Sequence, residues 1–206
     1  MPNRVELVFD FVSPNAYLVW NPLREIVQRT GAQLDVVPIF LAGMHKLTGN
    51  APPMIRDAEV KGKNAYAELE IQRFIARHGL GQFRMNPAFP FNSILLQRML
   101  YAADQDGRAV HFVDSVLPAI WERGIDPTDA EALAAAVSVA GFDTQDLFAR
   151  AQSDAVKQGL AVSTDRAVER GAFGVPTMFV GPKDGVGQMF FGKERLQQIE
   201  ELLAKE

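Results

Sequence analysis

A serine followed by a proline stands where a short apolar run gives way to a helical pattern, at Ser13-Pro14. The run, VELVFDF (5–11), suits a buried strand. Serine is a favoured helix N-cap, and proline is preorganised for the first helical position. The positive end of the helix and its free N–H groups favour an anion at such a point. A hydroxyl placed there can donate a hydrogen bond to a bound thiolate and lower the thiol's pKa by favouring its charged form. Ser13 itself lacks the neighbouring base that a serine nucleophile needs, since the histidines stand at 45, 78 and 111. The 206 residues include no cysteine, so any thiol chemistry must come from a bound small molecule. Simple N-capping is the competing account of Ser13, and the two roles are compatible.

A second candidate is Gly174-Val175-Pro176. A proline after a glycine and just before a strand suits a cis peptide bond in a tight loop, or a rigid turn that only starts the strand. Other chemistries lack their signatures. The histidines form no HExxH or other ligand spacing, so no metal site is expected, and GxSxG, Walker and GxGxxG patterns do not occur.

The elements that must position these residues fall into three stretches. Residues 4–40 read as strand, helix, strand, with Gly31 ending the helix and a second strand over 34–40; a parallel pairing through the helical crossover is the natural topology. Residues 44–56 are turn-rich, and helices are predicted at 62–78, 92–105, 108–123, 128–140 and 143–157, broken at glycines and at the proline-rich NPAFPF. The last 45 or so residues read as a helix over 163–170 capped by Ser163 or Thr164, a hairpin of TMFV and QMFF joined by GPKDGVG, and an amphipathic helix from Lys193 to Lys205. Two independent domains would leave an N-terminal piece with too little core to stand alone. The expectation is therefore an α/β thioredoxin-like fold split by one large helical insertion, with 1–42 and 161–206 forming one discontinuous domain and 43–160 the insertion.

Composition limits the partners. The formal net charge is −4, from 21 basic and 25 acidic residues, with no Lys/Arg-rich run. That argues against nucleic acid, whose binding rests on clustered cations. No apolar run approaches a membrane span. The start, MPNRVELVFDF, lacks the apolar region of a signal peptide, so a cytoplasmic protein is expected.

Five segments carry a family resemblance in order along the chain: DFVSPNAYL (10–18), PIFLAGMHKLTGNAPP (38–53), FPFNSILLQR (89–98), GAFGVPTMFV (171–180) and FFGKERL (190–196). They are similar to the kappa-class glutathione transferases and the bacterial 2-hydroxychromene-2-carboxylate isomerases, which share the DsbA-like thioredoxin fold with a helical insertion. The resemblance implies glutathione as cofactor, with its sulfur held by Ser13. It implies that Pro176 is cis and that the Val175 backbone pairs with the cysteinyl part of glutathione. Lys193 and Glu194 would hold the γ-glutamyl end; the family usually has Ser-Asp there, so the pair is a departure and a solvated first turn is the alternative. Asn50 would bind glutathione and Lys46 the carboxylate of an aromatic substrate, although a turn asparagine and a solvated lysine are the plainer accounts. Asn92 would face the substrate or cap its own helix. Tyr17, Phe40, Met44 and Phe89–Phe91 are candidates for an apolar wall around an aromatic ring, and His45 could line the site.

The function this implies is glutathione-dependent isomerisation of 2-hydroxychromene-2-carboxylate to trans-o-hydroxybenzylidenepyruvate in aromatic catabolism, in a protein that dimerises as the family usually does. The alternatives are a kappa-type transferase acting on other electrophiles and a non-catalytic thioredoxin-like module that binds glutathione or a peptide.

Overall fold

A computed structural model describes residues 3–182 and 187–204. Strand β1 (Asn3–Phe9) leads to helix α1 (Pro14–Thr30) and strand β2 (Gln33–Pro38). The chain then runs through α2 (Leu41–Thr48), α3 (Pro53–Arg56), α4 (Lys63–His78), α5 (Ile94–Gln105), α6 (Ala109–Trp121), α7 (Ala130–Val139), α8 (Thr144–Gln152) and α9 (Asp154–Glu169). Strands β3 (Thr177–Pro182) and β4 (Gln188–Phe191), a 3-10 turn (Lys193–Arg195) and α10 (Leu196–Leu203) complete it. The sheet order is β2-β1-β3-β4; β1 and β2 are parallel, and the other two pairings are antiparallel. No described helix is long and apolar enough to cross a membrane.

Strand alternation places helices on both faces. Val5, Leu7 and Phe9 enter the larger core with Leu18 and Leu23 of α1 and Leu196, Ile199 and Leu203 of α10. Leu96, Met99 and Leu100 of α5 and Val113 and Ile120 of α6 join the same cluster, so the inserted helices share a continuous core with the sheet. Val8 points the other way, into a smaller cluster with Ile39, Met44, Ala167, Val175 and Phe179.

The strand–helix–strand start agrees with the sequence expectation, although β2 ends at Pro38 and not at 40. The helix expected over 143–157 is broken at Ser153 into α8 and the start of α9, and there are three further differences. Residues 44–56 are not merely turns, because 41–48 form α2. That helix lacks a cap of its own, since Phe40 at its N-cap makes no side-chain bond, and its first amide is received instead by a residue distant in sequence (Asp10, below). Helix 163–170 is the second half of α9, whose cap is Ser153, accepting from Val156 N at 3.3 Å. Ser163 and Thr164 lie inside the helix: Thr164 Oγ1 donates to Leu160 O (2.9 Å) and accepts from Phe40 N (3.0 Å), and Ser163 Oγ donates to Pro38 O (2.6 Å). They tie α9 to the end of β2 rather than start a helix. The predicted terminal helix opens as the 3-10 turn, and residues 183–186 of the expected hairpin turn lie outside the described residues, as does Lys205.

Candidate active site

Ser13 is the N-cap of α1, its Oγ accepting from Ala16 N at 3.3 Å. It is 6 % exposed, and its hydroxyl lies 3.5 Å from Val175 O, the outer limit of a hydrogen bond, so its proton is only weakly committed. The first turn of α1 holds no acidic residue. No carboxylate there competes with an incoming anion for the positive end of the helix.

Val175-Pro176 is cis, as is Phe89-Pro90. The loop that carries Pro176 is fixed from both sides. Asn50 Nδ2 donates to Phe173 O at 2.7 Å, and Gly192 N donates to Pro176 O at 3.0 Å. At Gly174 a Cβ would come within 3.1 Å of the Phe191 ring and 3.7 Å of Asn50 Nδ2, so these groups close in on the loop. Ser13, Asn50, Val175, Pro176 and the Gly192 turn are therefore neighbours, from four separate parts of the chain.

The remaining candidates stand differently. Lys193 is buried; its Nζ pairs with Glu194 Oε1 and lies 5.5 Å from the Phe74 ring centroid. Lys193 and Glu194 both line a groove of about 330 Å³ between α1, α4 and α10, the Lys193 side chain buried and the Glu194 side chain 52 % exposed. Lys46 is exposed on α2. Asn92 is exposed and its Oδ1 accepts from Ile94 N (3.0 Å), which is the capping role. Tyr17 is 5 % exposed, packed 5.3 Å from Phe83, with its hydroxyl donating to Glu122 Oε1 at 2.9 Å. Burial first, and then Glu122, push its phenol well above the usual range, so Tyr17 is a neutral core residue with a committed hydroxyl. Met44 and Phe91 are likewise core side chains, in the smaller and larger clusters respectively. His45 is half-buried on α2, its basicity lowered by burial and by Arg56.

Sequence reasoning missed what holds the Ser13 turn. Asp10 is fully buried; its Oδ1 accepts from Val12 N (3.0 Å), and its Oδ2 accepts from Leu41 N (2.8 Å) and Ser93 Oγ (3.0 Å). Its carbonyl accepts from Ser13 N at 3.2 Å. One helical turn beyond Ser93, the buried Gln97 donates to Phe9 O (2.8 Å) and Ile39 O (2.6 Å) and accepts from Phe11 N (3.3 Å). Trp121 Nε1 donates to Phe11 O at 3.0 Å. Side chains of the insertion thus satisfy the backbone where β1 and β2 stop pairing and turn toward the site. The available signals were an aspartate inside an apolar run and a Ser/Gln pair at i, i+4 on an otherwise apolar helix face, both of which demand buried partners.

Burial pushes the Asp10 carboxyl up from 3.8 to about 6, against the hydrogen bonds from Val12, Leu41 and Ser93, which pull it down. The native state then keeps this proton at a pH where the unfolded chain has lost it. The stability Asp10 contributes is present below about pH 4 and is lost as pH rises through about 6, a change on the order of 3 kcal/mol. Urea titrations of the wild type and Asp10→Asn near pH 4 and near pH 7 check this. The wild type should lose that amount relative to the variant on going to the higher pH; a pH-independent difference would assign the effect elsewhere.

The profile of the DSBA-like thioredoxin domain family matches residues 4–204, so the chain belongs to that family. A Pseudomonas putida protein named 2-hydroxychromene-2-carboxylate isomerase is 32% identical over 98% of this chain and 94% of its own length. A solved structure of a 2-hydroxychromene-2-carboxylate isomerase superposes with a TM-score of 0.82 at 30% identity, covering 98% of this chain and 95% of that one. Within the DsbA-like domains, the chain belongs to the 2-hydroxychromene-2-carboxylate isomerase family. The human glutathione S-transferase kappa 1 is a relative at 27% identity, over 100% of this chain and 92% of the transferase.

Proposed function

We propose that this protein is a glutathione-dependent isomerase that converts 2-hydroxychromene-2-carboxylate to trans-o-hydroxybenzylidenepyruvate in aromatic catabolism. The observation that carries the reading is the meeting of Ser13 with the cis Val175-Pro176 loop in a chain without cysteine. In this reading the two form a thiol-binding site whose thiol must be brought in. A 32% identity to an isomerase over nearly the full length and relatedness to kappa-class transferases support the same cofactor and reaction.

When bound, glutathione would supply a nucleophilic thiolate for reversible addition to the conjugated carbon framework, which would leave a carbon–carbon bond free to turn once the ring C–O bond has opened. In this reading the Ser13 hydroxyl turns its weakly committed proton onto the sulfur, and the start of α1 adds its positive end. The Val175 backbone and Pro176 hold the cysteinyl part, with Asn50 beside them. At the γ-glutamyl end Glu194 faces the ammonium, and Lys193 stays behind it as counter-ion. Lys46 faces the carboxylate of the aromatic substrate with Asn92 toward its ring, while Tyr17 backs the site from the core, its hydroxyl held by Glu122. The proposal includes a homodimer, as the family resemblance implies, and a cytoplasmic location.

The test is to incubate the protein with 2-hydroxychromene-2-carboxylate, with and without glutathione, and follow product absorbance and free thiol. Isomerisation that needs glutathione and leaves the thiol count unchanged is expected. Thiol consumption would point to a kappa-type transferase. Calorimetric binding of glutathione with no turnover on any electrophile would leave a binding module, and no binding at all would end the glutathione reading.

A further inference from the structure

We propose that Asp10 is the positioning residue of this site, its carboxylate fixing the Ser13 turn relative to α2 and α5. The consequence for catalysis rests on the glutathione reading above; the positioning itself does not. Three segments of the chain meet on this one side chain. Through Val12 N it closes a side-chain turn over 10–12, and its carbonyl receives Ser13 N, so two of the hydrogen bonds that shape the approach to Ser13 are accepted by Asp10. Through Leu41 N it provides α2, which begins without a side-chain cap, with an acceptor at its positive end. Through Ser93 Oγ it holds the residue at the N-cap of α5. The segment on which Lys46 and Asn50 lie and the turn that presents Ser13 are thus referenced to the same two oxygens.

Only a carboxylate meets this demand. Two peptide N–H groups and a hydroxyl converge on it, all able to donate, and an ionised carboxylate is acceptor-only. Asparagine has the same shape but one acceptor oxygen; whichever way its amide is turned, its NH₂ faces a donor, and a peptide N–H, unlike the serine hydroxyl, has no acceptor role to fall back on. Burying a carboxylate is a poor way to gain stability, and the raised Asp10 pKa shows that cost. A side chain retained only to fill space would better be apolar. What the carboxylate provides in return is a fixed geometry between elements that are far apart in sequence.

The experiment compares Asp10→Asn, Ser93→Ala and, as a control for general destabilisation, Leu133→Ala, a fully buried residue of α7, which packs on α6 and α8. Two readouts are taken on the full chain: amide hydrogen exchange at Val12 and Leu41, and the ultraviolet thiolate absorbance of bound glutathione across pH. Asp10→Asn is expected to speed exchange at both amides roughly tenfold or more and, with the loss of the Ser13 placement outweighing the removal of one buried negative charge, to raise the pKa of the bound thiol by about one unit. Ser93→Ala should move both in the same direction by less, and Leu133→Ala should move neither. Unchanged exchange and thiol pKa in Asp10→Asn and Ser93→Ala would overturn the proposal, as would equal effects from Leu133→Ala. If Asp10→Asn does not fold, Ser93→Ala decides by the same readouts. If the wild type binds no glutathione, the functional reading fails while the exchange measurement still decides whether Asp10 positions the turn.

Discussion

Replacing Ser13 by alanine is expected to lower glutathione-dependent turnover by roughly 10- to 150-fold, the worth of one hydrogen bond to a charged group. The hydroxyl is buried, sits at the helix start, and commits its proton to nothing better than a 3.5 Å contact with Val175 O. Turning that proton onto a sulfur costs the protein little and favours the thiolate over the thiol. The bound thiol's pKa should therefore rise by one to two units, since about 1.4 kcal/mol corresponds to one unit. Stability should fall by only about 1 kcal/mol, because the same oxygen caps α1 through Ala16 N. Ser13→Asp separates the two roles. It can still accept from Ala16 N, so the cap and the stability should be kept, but it brings a negative charge to the place of the sulfur and has no proton to donate at neutral pH. It should be at least as inactive as the alanine variant. Steady-state assays and thiolate absorbance on both variants check this. A Ser13→Asp variant that retained a low thiol pKa would remove the hydroxyl from the mechanism and leave Ser13 as a cap alone.

The largest effect on stability is expected from Gln97→Met. The two side chains are of similar size, so little packing is lost, but methionine can replace none of the amide's bonds. Ile39 O and Phe11 N would be left buried without their present partner, while Phe9 O would keep only its bond from Ile39 N. At about 1–3 kcal/mol for each of the two unsatisfied groups, with a smaller loss at Phe9 O, the total should be roughly 2–5 kcal/mol. That is a large part of the 5–15 kcal/mol typical of a folded domain. Gln97→Glu should be no milder, because a carboxylate would face two carbonyl oxygens. Urea denaturation measures the loss as a lower midpoint. A change below about 1 kcal/mol would mean that water or a backbone shift replaces the clamp.

Helix α2 shows why part of this was not legible in the sequence. Its segment, LAGMHKLT, has no N-cap side chain and a glycine near its start, so local rules read turns. The missing acceptor is supplied by Asp10, 31 residues earlier. Ser163 and Thr164 mislead in the opposite sense. They are good cap residues by type, yet α9 runs through them because their hydroxyls find partners on the helix and on the end of β2. In both places a tertiary hydrogen bond outweighed a local preference. Lys193 is misread for a different reason, its burial against other helices. As a charged residue at a helix start it reads as a surface group, but the groove between α1, α4 and α10 takes it in, with Glu194 as its partner.

Sequence alone determined the elements whose signals are local. The apolar run of β1, the Ser13-Pro14 start of α1 and its Gly31 stop, in the left-handed conformation at φ 69°, each rest on steric and capping preferences within a few residues. The absence of cysteine and the Val175-Pro176 loop were equally plain, and with them the expectation of a borrowed thiol. Tertiary structure alone decided how the Ser13 turn is held. Asp10, Ser93, Gln97 and Trp121 lie far apart in the chain, and each is a polar group in apolar surroundings whose purpose appears only when its partner does. The physical reason is that the backbone at the ends of β1 and β2 leaves the ladder while still buried. Its N–H and C=O groups must then be met by side chains from whichever elements the fold packs against them.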